Sequence, residues 1–585
     1  MCGITGLWGP PVSTGSELTR AVKAMTQMLE HRGPDDFGIW IDESQGVALG
    51  FRRLAIVDLS SNGHQPMSSA SGRYEMVFNG EIYNFAELRR ELEALGFRFR
   101  GGSDTEVILA AIEAWTLDVA VTRFVGMFAI ALWDREHRRL HLVRDRLGIK
   151  PLYYGWFGQT LMFGSELKAL AVHPDFEPEI NRDSLALYLR HGYVPDPYSI
   201  YQNVKKLPPG TILSVNGPGA SDASPRPYWS ARAVALAGLE NPHRGSRTDA
   251  AEELDALLRS AVALRMVADV PLGAFLSGGV DSSTLVALMQ AQSNRPVKTF
   301  TIGFNEDGYD EAAHAAAVAR HLGTEHTSLI VTPAEARDVI PMLPWMYDEP
   351  FADSSQIPTY LVSRLAREQV TVSLSGDGGD ELFGGYNRYF WGEAIWSRIG
   401  RVPRSARGLG GRALTSVSAE SWNRQLSRLN PVLPRRLRQQ TPGDKLHKLA
   451  EVLSVESGEA LYHGLVSQWR NPSVVVAGGR EPATVLTDKA QWAELPEFSR
   501  RMMYLDLVSY LPGDILTKVD RASMAVGLEA RVPLLDHRVV EFAARIPVEM
   551  NISGGQGKGL LRDVLYQYVP QALMDRPKMG FGVPI

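Results

Sequence analysis

The spacing of apolar runs changes once along this chain, near residue 216, and this change limits the fold more than any other feature. The runs before it are short, are bounded by Gly, Pro or Asn, and lie at hairpin-like separations: 4–8, 76–79, 127–133 and 140–143. Such runs predict an antiparallel sheet with helices packed on its faces. After it, helices such as 250–267 alternate at longer spacing with strands at 270–276, 299–304 and 370–374. That alternation predicts parallel βαβ units in a doubly wound sheet.

A stretch rich in chain-breaking residues separates the two patterns. Residues 216–247 contain Asn-Gly-Pro-Gly and Asn-Pro-His-Arg-Gly-Ser, so we predict a linker there. The first domain then spans 2–215 and the second spans 248–585. In the first domain we predict a helix at 84–95 and another that begins with a Ser-Asp-Thr-Glu capping box at 103–106.

Composition excludes several classes of protein. The 585 residues include 61 Lys and Arg against 66 Asp and Glu, which gives a net charge of −5. Without a chain-wide basic field we expect no nucleic-acid partner. No run approaches the roughly 18 apolar residues of a membrane-spanning helix, and the first residues do not resemble a secretory signal. We therefore expect a soluble, cytoplasmic, multidomain enzyme that does not insert into membranes.

One segment departs from this even charge. Residues 401–448 contain eleven Lys or Arg and only two acidic residues. We interpret the segment as a solvated helical surface; the alternative is a patch that faces phosphate or docks a partner.

The single cysteine stands at position 2. It excludes intramolecular disulfides and thiolate metal cages. Removal of Met1 would give Cys2 a free α-amine beside its thiol, and such an amine, with a pKa of about 8, can accept the thiol proton. We therefore predict that Cys2 is a nucleophile that carries its own base, whereas retention of Met1 would block that base.

Five motifs begin with this cysteine. In order they are Cys-Gly-Ile-Thr-Gly at 2–6, His-Arg-Gly-Pro-Asp at 31–35, Phe-Arg-Arg-Leu-Ala-Ile-Val-Asp at 51–58, Asn-Gly-Glu-Ile-Tyr-Asn at 79–84 and Gly-Ser-Asp-Thr-Glu at 102–106. The series closely resembles the class II, N-terminal-nucleophile glutamine amidotransferase domain. The resemblance implies an α+β first domain, an antiparallel αββα sandwich, that releases ammonia from glutamine.

The resemblance also implies roles for individual residues. Cys2 matches the nucleophile, and the Asn79 side-chain amide and the Gly80 N–H match the oxyanion hole. The amino-acid end of glutamine needs a cation to pair with its carboxylate and an anion to pair with its ammonium group. Arg53 matches the family residue that binds the carboxylate. Asp104, assisted by Glu81, matches the residue that binds the ammonium group. For His31 and Arg32 we expect structural roles.

A glycine-rich loop stands between a predicted strand and a predicted helix. Its sequence, Leu-Ser-Gly-Gly-Val-Asp-Ser-Ser at 276–283, offers a flexible backbone, the N–H groups of a helix N-terminus and serine hydroxyls to an anion. It lacks the Gly-Lys-Ser/Thr ending of a Walker loop. It resembles the SGGxDSS pyrophosphate loop of ATP pyrophosphatases, which implies that ATP contacts this loop and that Asp281 binds Mg²⁺. The matching ATP-contact residues are Ser277, Gly278, Gly279, Asp281, Ser282 and Ser283.

A second glycine-rich loop follows another buried strand. Residues 375–386 read Ser-Gly-Asp-Gly-Gly-Asp-Glu-Leu-Phe-Gly-Gly-Tyr, and three acids within five residues would repel one another without a cation. Because loops at the carboxyl ends of parallel strands meet at one crevice, we expect this loop to converge with the first.

The two halves together resemble glutamine-hydrolysing asparagine synthetase, type B, over nearly the whole chain. The resemblance implies a helical C-terminal part and places the nucleotide on Ser375, Gly376 and Ile302. It places Asp380 with Asp281 at magnesium, Asp377 at the acidic catalytic position, and Lys558 at the position of a lysine that stabilises charge near the α-phosphate. We predict that Glu381 and Tyr386 contact the acceptor substrate. The acidic segment 348–355 has two interpretations: it binds the acceptor, or it only shapes its own loop.

Two departures from the family pattern stand out. Some members have Glu where Asp377 stands, which leaves the general base and the acceptor open. The chain stops at Gly-Phe-Gly-Val-Pro-Ile, 580–585, where relatives normally continue into a helical tail, so we expect a short or truncated tail.

The implied reaction consumes aspartate, glutamine and MgATP and yields asparagine, glutamate, AMP and pyrophosphate, with ammonia passing between two sites. One alternative is the same mechanism on a sugar acid or a cell-wall precursor. Others are a sugar-phosphate or phosphoribosyl amidotransferase, which the 276–283 loop argues against, and a nonenzymatic regulator that binds glutamine and nucleotide. Whether the chain forms a homodimer is left open.

Overall fold

The computed structural model describes residues 2–11, 15–304, 312–427, 446, 450 and 452–575. Met1, most of the basic segment beyond 427 and the tail at 576–585 lie outside this description. The strands are β1 (Gly3–Trp8), β2 (Asp36–Asp42), β3 (Val47–Arg53), β4 (Met67–Ser68), β5 (Tyr74–Ile82), β6 (Gly126–Asp134), β7 (Arg139–Arg144), β8 (Tyr153–Phe157), β9 (Thr160–Gly164), β10 (Val204–Lys206), β11 (Thr211–Val215), β12 (Arg226–Pro227), β13 (Leu272–Phe275), β14 (Lys298–Phe304), β15 (Glu325–Val331), β16 (Val372–Leu374) and β17 (Glu529–Arg531).

The first half of the chain forms two six-stranded antiparallel sheets that pack face to face. Their strand orders are β10-β8-β9-β1-β3-β2 and β12-β11-β7-β6-β5-β4. Alternation along β5 explains the packing: Val77 joins the core between the sheets, whereas Met76 and Phe78 join the core beneath the helices. The αββα sandwich predicted from sequence is therefore confirmed. The helices of this half are Gly15–Gln27, Phe85–Ala94, Asp104–Arg123, Leu167–Ala171 and Arg182–His191.

The second half contains a five-stranded parallel sheet. Its order, β15-β14-β13-β16-β17, places the first of its strands at the centre, so the winding reverses beside β13. This confirms the doubly wound sheet, and the loops after β13 and β16 flank the crevice where such sheets bind ligands.

Helices surround that sheet and continue to the end of the described chain. They are Ala231–Glu240, Arg247–Arg265, Val280–Ala291, Ala312–Leu322, Pro333–Asp338, Leu343–Tyr347, Gln356–Arg367, Gly379–Phe383, Asn387–Ile399, Arg404–Thr415, Ala419–Ser427, Gly458–Leu465, Pro472–Val475, Phe498–Val508, the π-helical turn Leu511–Ile515, Leu516–Met524, His537–Arg545, Val548–Asn551, Gly559–Leu565 and Gln571–Met574.

One local expectation differs from the structure. The Ser103 side chain caps its helix through the Thr105 N–H, but Glu106 accepts from the N–H groups of Arg100 and Gly101, so the reciprocal capping box does not form. The stretch 216–247 also holds β12 and the helix Ala231–Glu240, because its apolar residues pack against the second half. Among the described residues, no helix combines the length and apolar character that would let it cross a bilayer.

The described part of the basic segment is helical. Arg404 forms an exposed ion pair with Glu456. Arg407 differs, because it is buried and donates to the carbonyl oxygens of Val402 and Val455. At least one of these cations therefore serves packing and does not face solvent.

The two halves share one apolar core and a buried ionic network. Leu54, Ile56 and Tyr83 from the first half pack into the core of the second. Arg32 is fully buried, and its Nη1 lies 2.8 Å from both Glu166 Oε1 and Asp520 Oδ2. A buried charge of this kind requires its partners, so the two halves form a single packed unit.

Candidate active sites

Cys2 lies just before β1 and is buried in the core between the two antiparallel sheets. Arg32 Nε donates to its carbonyl oxygen at 3.1 Å, and the Leu54 N–H donates to its sulfur. Burial raises the pKa of the Cys2 thiol to about 11, and the carboxylates of Glu529 and Glu81 add to that rise. The thiol is therefore protonated at neutral pH and needs a base before it can act as a nucleophile.

Asn79 and Gly80 lie on β5 beside Cys2. Asn79 Oδ1 accepts the Cys2 N–H at 3.0 Å, while Asn79 Nδ2 is buried without a hydrogen-bond partner among the described residues. The φ of Gly80 is 151°, and a Cβ there would lie 2.0 Å from the Met127 carbonyl oxygen, so only glycine fits. An unpaired donor next to a thiol is suited to stabilise negative charge on a substrate oxygen.

Glu81 and Asp104 bring two buried carboxylates to the same site. Asp104 Oδ2 accepts the Ile82 N–H at 2.9 Å, yet burial raises the pKa of Asp104 to about 6, with a contribution from Glu529. Burial also holds the pKa of Glu81 well above its usual range, and the carboxylates of Glu529 and Asp104 act in the same direction. An ammonium group bound here would favour the ionised form of both acids.

Arg53 ends β3 and is held by the loop that follows it. Its Nη1 donates to the Ser60 carbonyl oxygen at 2.8 Å, and its Nη2 donates to the Asp58 carbonyl oxygen. These bonds fix the plane of the guanidinium group. Both acceptors are uncharged carbonyl oxygens, so these bonds do not neutralise the positive charge of the guanidinium group. That charge can therefore pair with a substrate carboxylate.

The loop after β13 leads into the helix Val280–Ala291. Ser277 Oγ and Ser282 Oγ lie 3.0 Å apart, the Gly279 N–H donates to Ser277 Oγ at 3.3 Å, and Gly278 adopts a φ of 72°. The turn presents the first N–H groups of the helix, which have no partner within it, to an anion. Ser283 is fully buried, and its hydroxyl meets no hydrogen-bond partner among the described residues.

The loop after β16 meets this first loop, as the parallel sheet predicts. A Cβ on Gly376 would lie 2.8 Å from the Ser282 nitrogen and 3.0 Å from Asp281 Cβ, so the absence of a side chain allows the two loops to touch. Ser375 is tied to the neighbouring strand by its N–H, which donates to the Arg531 carbonyl oxygen at 2.8 Å. Ile302 lies on β14 with its side chain in the core, so only its backbone is available to a ligand.

Lys558 joins the two loops. Its Nζ lies 2.5 Å from Asp281 Oδ2 and 2.7 Å from Asp380 Oδ1. It has a φ of 61°, and its N–H donates to the Phe383 carbonyl oxygen at 2.9 Å. A non-glycine residue in this conformation is strained and must be held by its surroundings, which is common at functional sites. Burial opposes the charge of Lys558, but the two carboxylates outweigh burial and raise its pKa.

Asp281 and Asp380 supply the oxygen ligands that Mg²⁺ prefers. Within the residues that the structure describes, Asp, Glu, His and Cys side chains nowhere gather in threes as a metal site. The two carboxylates therefore fit Mg²⁺ if phosphate oxygens and water complete its coordination.

Asp377 is half-buried in the second loop. Ser375 Oγ donates to Asp377 Oδ2 at 2.5 Å, and burial raises the pKa of Asp377. Lys518, which sequence reasoning missed, lowers that pKa and donates to Asp353 Oδ2 at 2.6 Å and to Ser355 Oγ at 2.7 Å. The segment 348–355 therefore holds a fixed cation, which the helix Leu516–Met524 supplies, beside the second loop.

Glu381 and Tyr386 lie together, with the Tyr386 hydroxyl donating to Glu381 Oε1 at 2.6 Å. Burial and the nearby Asp380 raise the pKa of Glu381 to about 7. Arg388, also missed from sequence, lies over the Tyr386 ring at 4.0 Å from its centroid and pairs with buried Asp506 at 2.8 Å.

Glu529 and Arg531 on β17 were missed as well. Their spacing of two residues on a strand places both side chains on one face, which was the available signal. Nothing in the sequence identifies Glu81 as the group that Arg531 faces.

Two family profiles match the chain. The one described as a glutamine amidotransferase domain matches residues 1–229, and the one described as asparagine synthase matches residues 253–585.

Curated proteins are similar over most or all of the chain. An asparagine synthetase (glutamine-hydrolyzing) 1 from Bacillus subtilis is 35% identical over 594 residues, covering 100% of this chain and 87% of the relative. A putative asparagine synthetase (glutamine-hydrolyzing) from Mycobacterium bovis is 34% identical, covering 100% and 88%. A putative asparagine synthetase (glutamine-hydrolyzing) 2 from Methanocaldococcus jannaschii is 38% identical, covering 70% and 80%.

Proposed function

This chain belongs to the asparagine synthase family, and we propose that it uses ammonia from glutamine to amidate aspartate through an acyl-adenylate. It is a carbon–nitrogen ligase of the glutamine-hydrolysing asparagine synthase type. The observation that carries the proposal is the convergence of Lys558 with Asp281 and Asp380 between two glycine-rich loops. That cluster supports ATP chemistry, which a glutaminase joined to a sugar-phosphate domain would not need.

The first half-reaction takes place at Cys2. After removal of Met1 its α-amine takes the thiol proton, and the sulfur attacks the side-chain carbonyl of glutamine. Asn79 Nδ2 and the Gly80 N–H stabilise the oxyanion, and its collapse expels ammonia and leaves a thioester. Water then releases glutamate and restores the thiol.

Binding of glutamine uses charges at both ends of its amino-acid group. Arg53 meets the α-carboxylate, and Asp104 and Glu81 meet the α-ammonium group. Their burial strengthens these contacts, because little water remains to screen them.

The second half-reaction takes place where the two loops meet. The acceptor carboxylate attacks the α-phosphate of ATP, pyrophosphate leaves, and an acyl-adenylate forms. The 277–283 turn binds the departing pyrophosphate, and Lys558 stabilises negative charge on the phosphate side. When bound by Asp281 and Asp380, Mg²⁺ would neutralise phosphate charge.

Ammonia then displaces AMP from the acyl-adenylate, and Asp377 accepts a proton from the attacking nitrogen. Ammonia in bulk water at neutral pH is mostly protonated and not nucleophilic, so we propose an enclosed passage between the two sites. The support is that Arg531 contacts the first site through its side chain and the second through its carbonyl oxygen. We further propose that the reaction occurs in the cytoplasm.

The same mechanism on a larger acceptor is the second candidate. A cavity of about 70 Å³ lies beside Glu381, and its lining includes Leu382, Met503 and Val540. This apolar space would accommodate part of a substrate larger than aspartate, such as a sugar acid or a cell-wall precursor.

A panel of acids tests both candidates. The purified chain would be incubated with glutamine, ATP and each acid, and AMP, pyrophosphate and the amide would be measured by mass spectrometry. Amide formation with aspartate alone, which yields asparagine, supports the proposal. Amide formation with another acid alone would show that this acid, and not aspartate, is the acceptor. Cys2→Ala should abolish the glutamine-driven reaction and retain the ammonia-driven one; absence of both reactions from the unaltered chain would refute the function.

A further inference from the structure

Arg531 ends the last strand of the parallel sheet and is completely buried. Its Nε donates to Glu529 Oε1 at 2.6 Å. Its Nη1 donates to the carbonyl oxygens of Arg265 at 2.8 Å and Val267 at 2.7 Å, at the C-terminal end of the helix Arg247–Arg265. Helix C-terminal carbonyl groups lack intrahelical partners and attract cations. Two of the three guanidinium nitrogens are thus fixed within the second half.

The third nitrogen faces the first half. Arg531 Nη2 lies 3.4 Å from Glu81 Oε1 and has no hydrogen-bond partner among the described residues. A buried N–H group without an acceptor raises the free energy of the folded state. The hydrogen bonds of Nε and Nη1 hold the guanidinium group in this position despite that cost. The guanidinium also lies over the ring of Tyr83, two residues after Glu81, with Cζ 5.5 Å from the ring centroid.

Glu81 needs such a cation. It is buried near the carboxylates of Asp104 and Glu529, and burial together with these charges favours its protonated form. A protonated Glu81 would bind an ammonium group poorly, because the ion pair would be lost.

We propose that Arg531 is a positioning residue of the glutamine site, which holds the Glu81 carboxylate as a partner for the α-ammonium group of the substrate. The inference rests on the proposed function, in which Glu81 and Asp104 bind that ammonium group. It means that the second domain completes the binding site of the first. The Arg531 carbonyl oxygen accepts the Ser375 N–H, so the same residue also anchors the nucleotide loop.

The test compares two amide substrates. Glutamine and glutaramate carry the same side-chain amide and the same carboxylate, but glutaramate lacks the α-amino group. In Arg531→Met, kcat/KM for glutamine should fall about tenfold or more, mainly through KM, whereas kcat/KM for glutaramate should change by less than about twofold. Equal losses with both substrates would indicate a merely structural role and overturn the proposal, as would no loss with either.

Arg521→Met is the matched control. Arg521 is also a fully buried arginine of the second half, but it pairs with Glu166 and Asp348. Its loss should leave the ratio of the two kcat/KM values unchanged, and a changed ratio would contradict the assignment to Arg531. Ammonia-driven amidation, which requires no glutamine, reports whether each variant is folded.

Two further variants keep the test decisive if Arg531→Met does not fold. Arg531→Lys retains the positive charge but loses the planar guanidinium group with its fixed donor directions. It should therefore recover part of the preference for glutamine over glutaramate. Glu81→Gln should lose the same preference, and adding Arg531→Met to it should cause little further loss. Additive losses would overturn the proposal.

If the unaltered chain does not hydrolyse glutamine, the proposed function itself fails. If it does hydrolyse glutamine and the ratio of the two kcat/KM values does not change in Arg531→Met, only the role of Arg531 fails.

Discussion

Lys558 Nζ lies 2.5 Å from Asp281 Oδ2, although 277 positions separate the two residues in the chain. The helix Gly559–Leu565 brings the lysine to the first loop, and the second loop contributes Asp380 on its other side. A fixed ammonium group thus stands between two carboxylates at the switch point of the parallel sheet. Under the proposed function, we expect a nucleotide at this site to replace carboxylate–ammonium contacts with phosphate contacts.

Replacement of this lysine should separate the two half-reactions. Lys558→Met should lower acceptor-dependent pyrophosphate release about a hundredfold or more, because it removes a fixed charge from the point where negative charge develops. Glutamine hydrolysis should remain, since Cys2 and its partners are untouched. Lys205→Met, at an exposed lysine of β10, is the control and should change neither rate. Undiminished pyrophosphate release in Lys558→Met would contradict the role given to Lys558.

Chelation of divalent cations should act on one site only. Asp281 and Asp380 offer oxygen ligands near the phosphate loop, whereas the Cys2 site relies on hydrogen bonds and fixed charges. Excess EDTA should therefore stop pyrophosphate release while glutamine hydrolysis continues, and added Mg²⁺ should restore the former. Pyrophosphate release that persists in EDTA would argue against a divalent cation at these carboxylates.

The affinity for glutamine should depend on pH through Asp104. Its pKa of about 6 means that the carboxylate is ionised above pH 6 and protonated below it. Because only the ionised form pairs with the α-ammonium group, KM for glutamine should be lowest above pH 6 and should rise up to about tenfold per pH unit below it. Asp104→Asn should raise KM at high pH and weaken this dependence. A KM that is constant across this range would exclude Asp104 from ammonium binding.

Substitution of Asp377 should affect the acceptor side alone. Burial raises the pKa of this acid, which prepares it to exchange a proton, and Asp377→Asn removes that ability. We expect amide formation to fall about a hundredfold or more, with glutamine hydrolysis unchanged. Asp377→Glu extends the reach by one methylene and should retain more activity than Asn. Equal activity of Asn and Asp would show that another group takes the proton.

Short motifs indicate much of the chemistry of the two candidate sites. The turn at 276–283, the loop at 375–386 and the cysteine at position 2 each combine their chemistry within a few neighbouring residues, so sequence alone indicates their use. The two kinds of sheet, antiparallel and parallel, also follow from local patterns, since hairpin spacing and βαβ spacing differ.

The remaining features depend on contacts between distant residues. Arg32 and Asp520 are 488 positions apart, and each is an ordinary charged residue until the fold joins them. Lys518 and Arg531 have no local motif, and their meaning comes from Asp353 and Glu81, which approach from other elements. The Ser103 cap shows that a local motif can also mislead. The capping-box pattern is present, but Glu106 accepts hydrogen bonds from the N–H groups of Arg100 and Gly101 instead of from Ser103.

The fate of the glutamine amide nitrogen is the decisive measurement for glutamine-dependent amidation of aspartate by this chain. Glutamine labelled with ¹⁵N in its side-chain amide would be supplied with ATP, Mg²⁺ and aspartate to protein whose N-terminus has been verified as Cys2. We expect ¹⁵N-labelled asparagine, with AMP and pyrophosphate each formed in an amount equal to it. Formation of ADP and phosphate, or no labelled amide from any acid tested, would contradict this expectation.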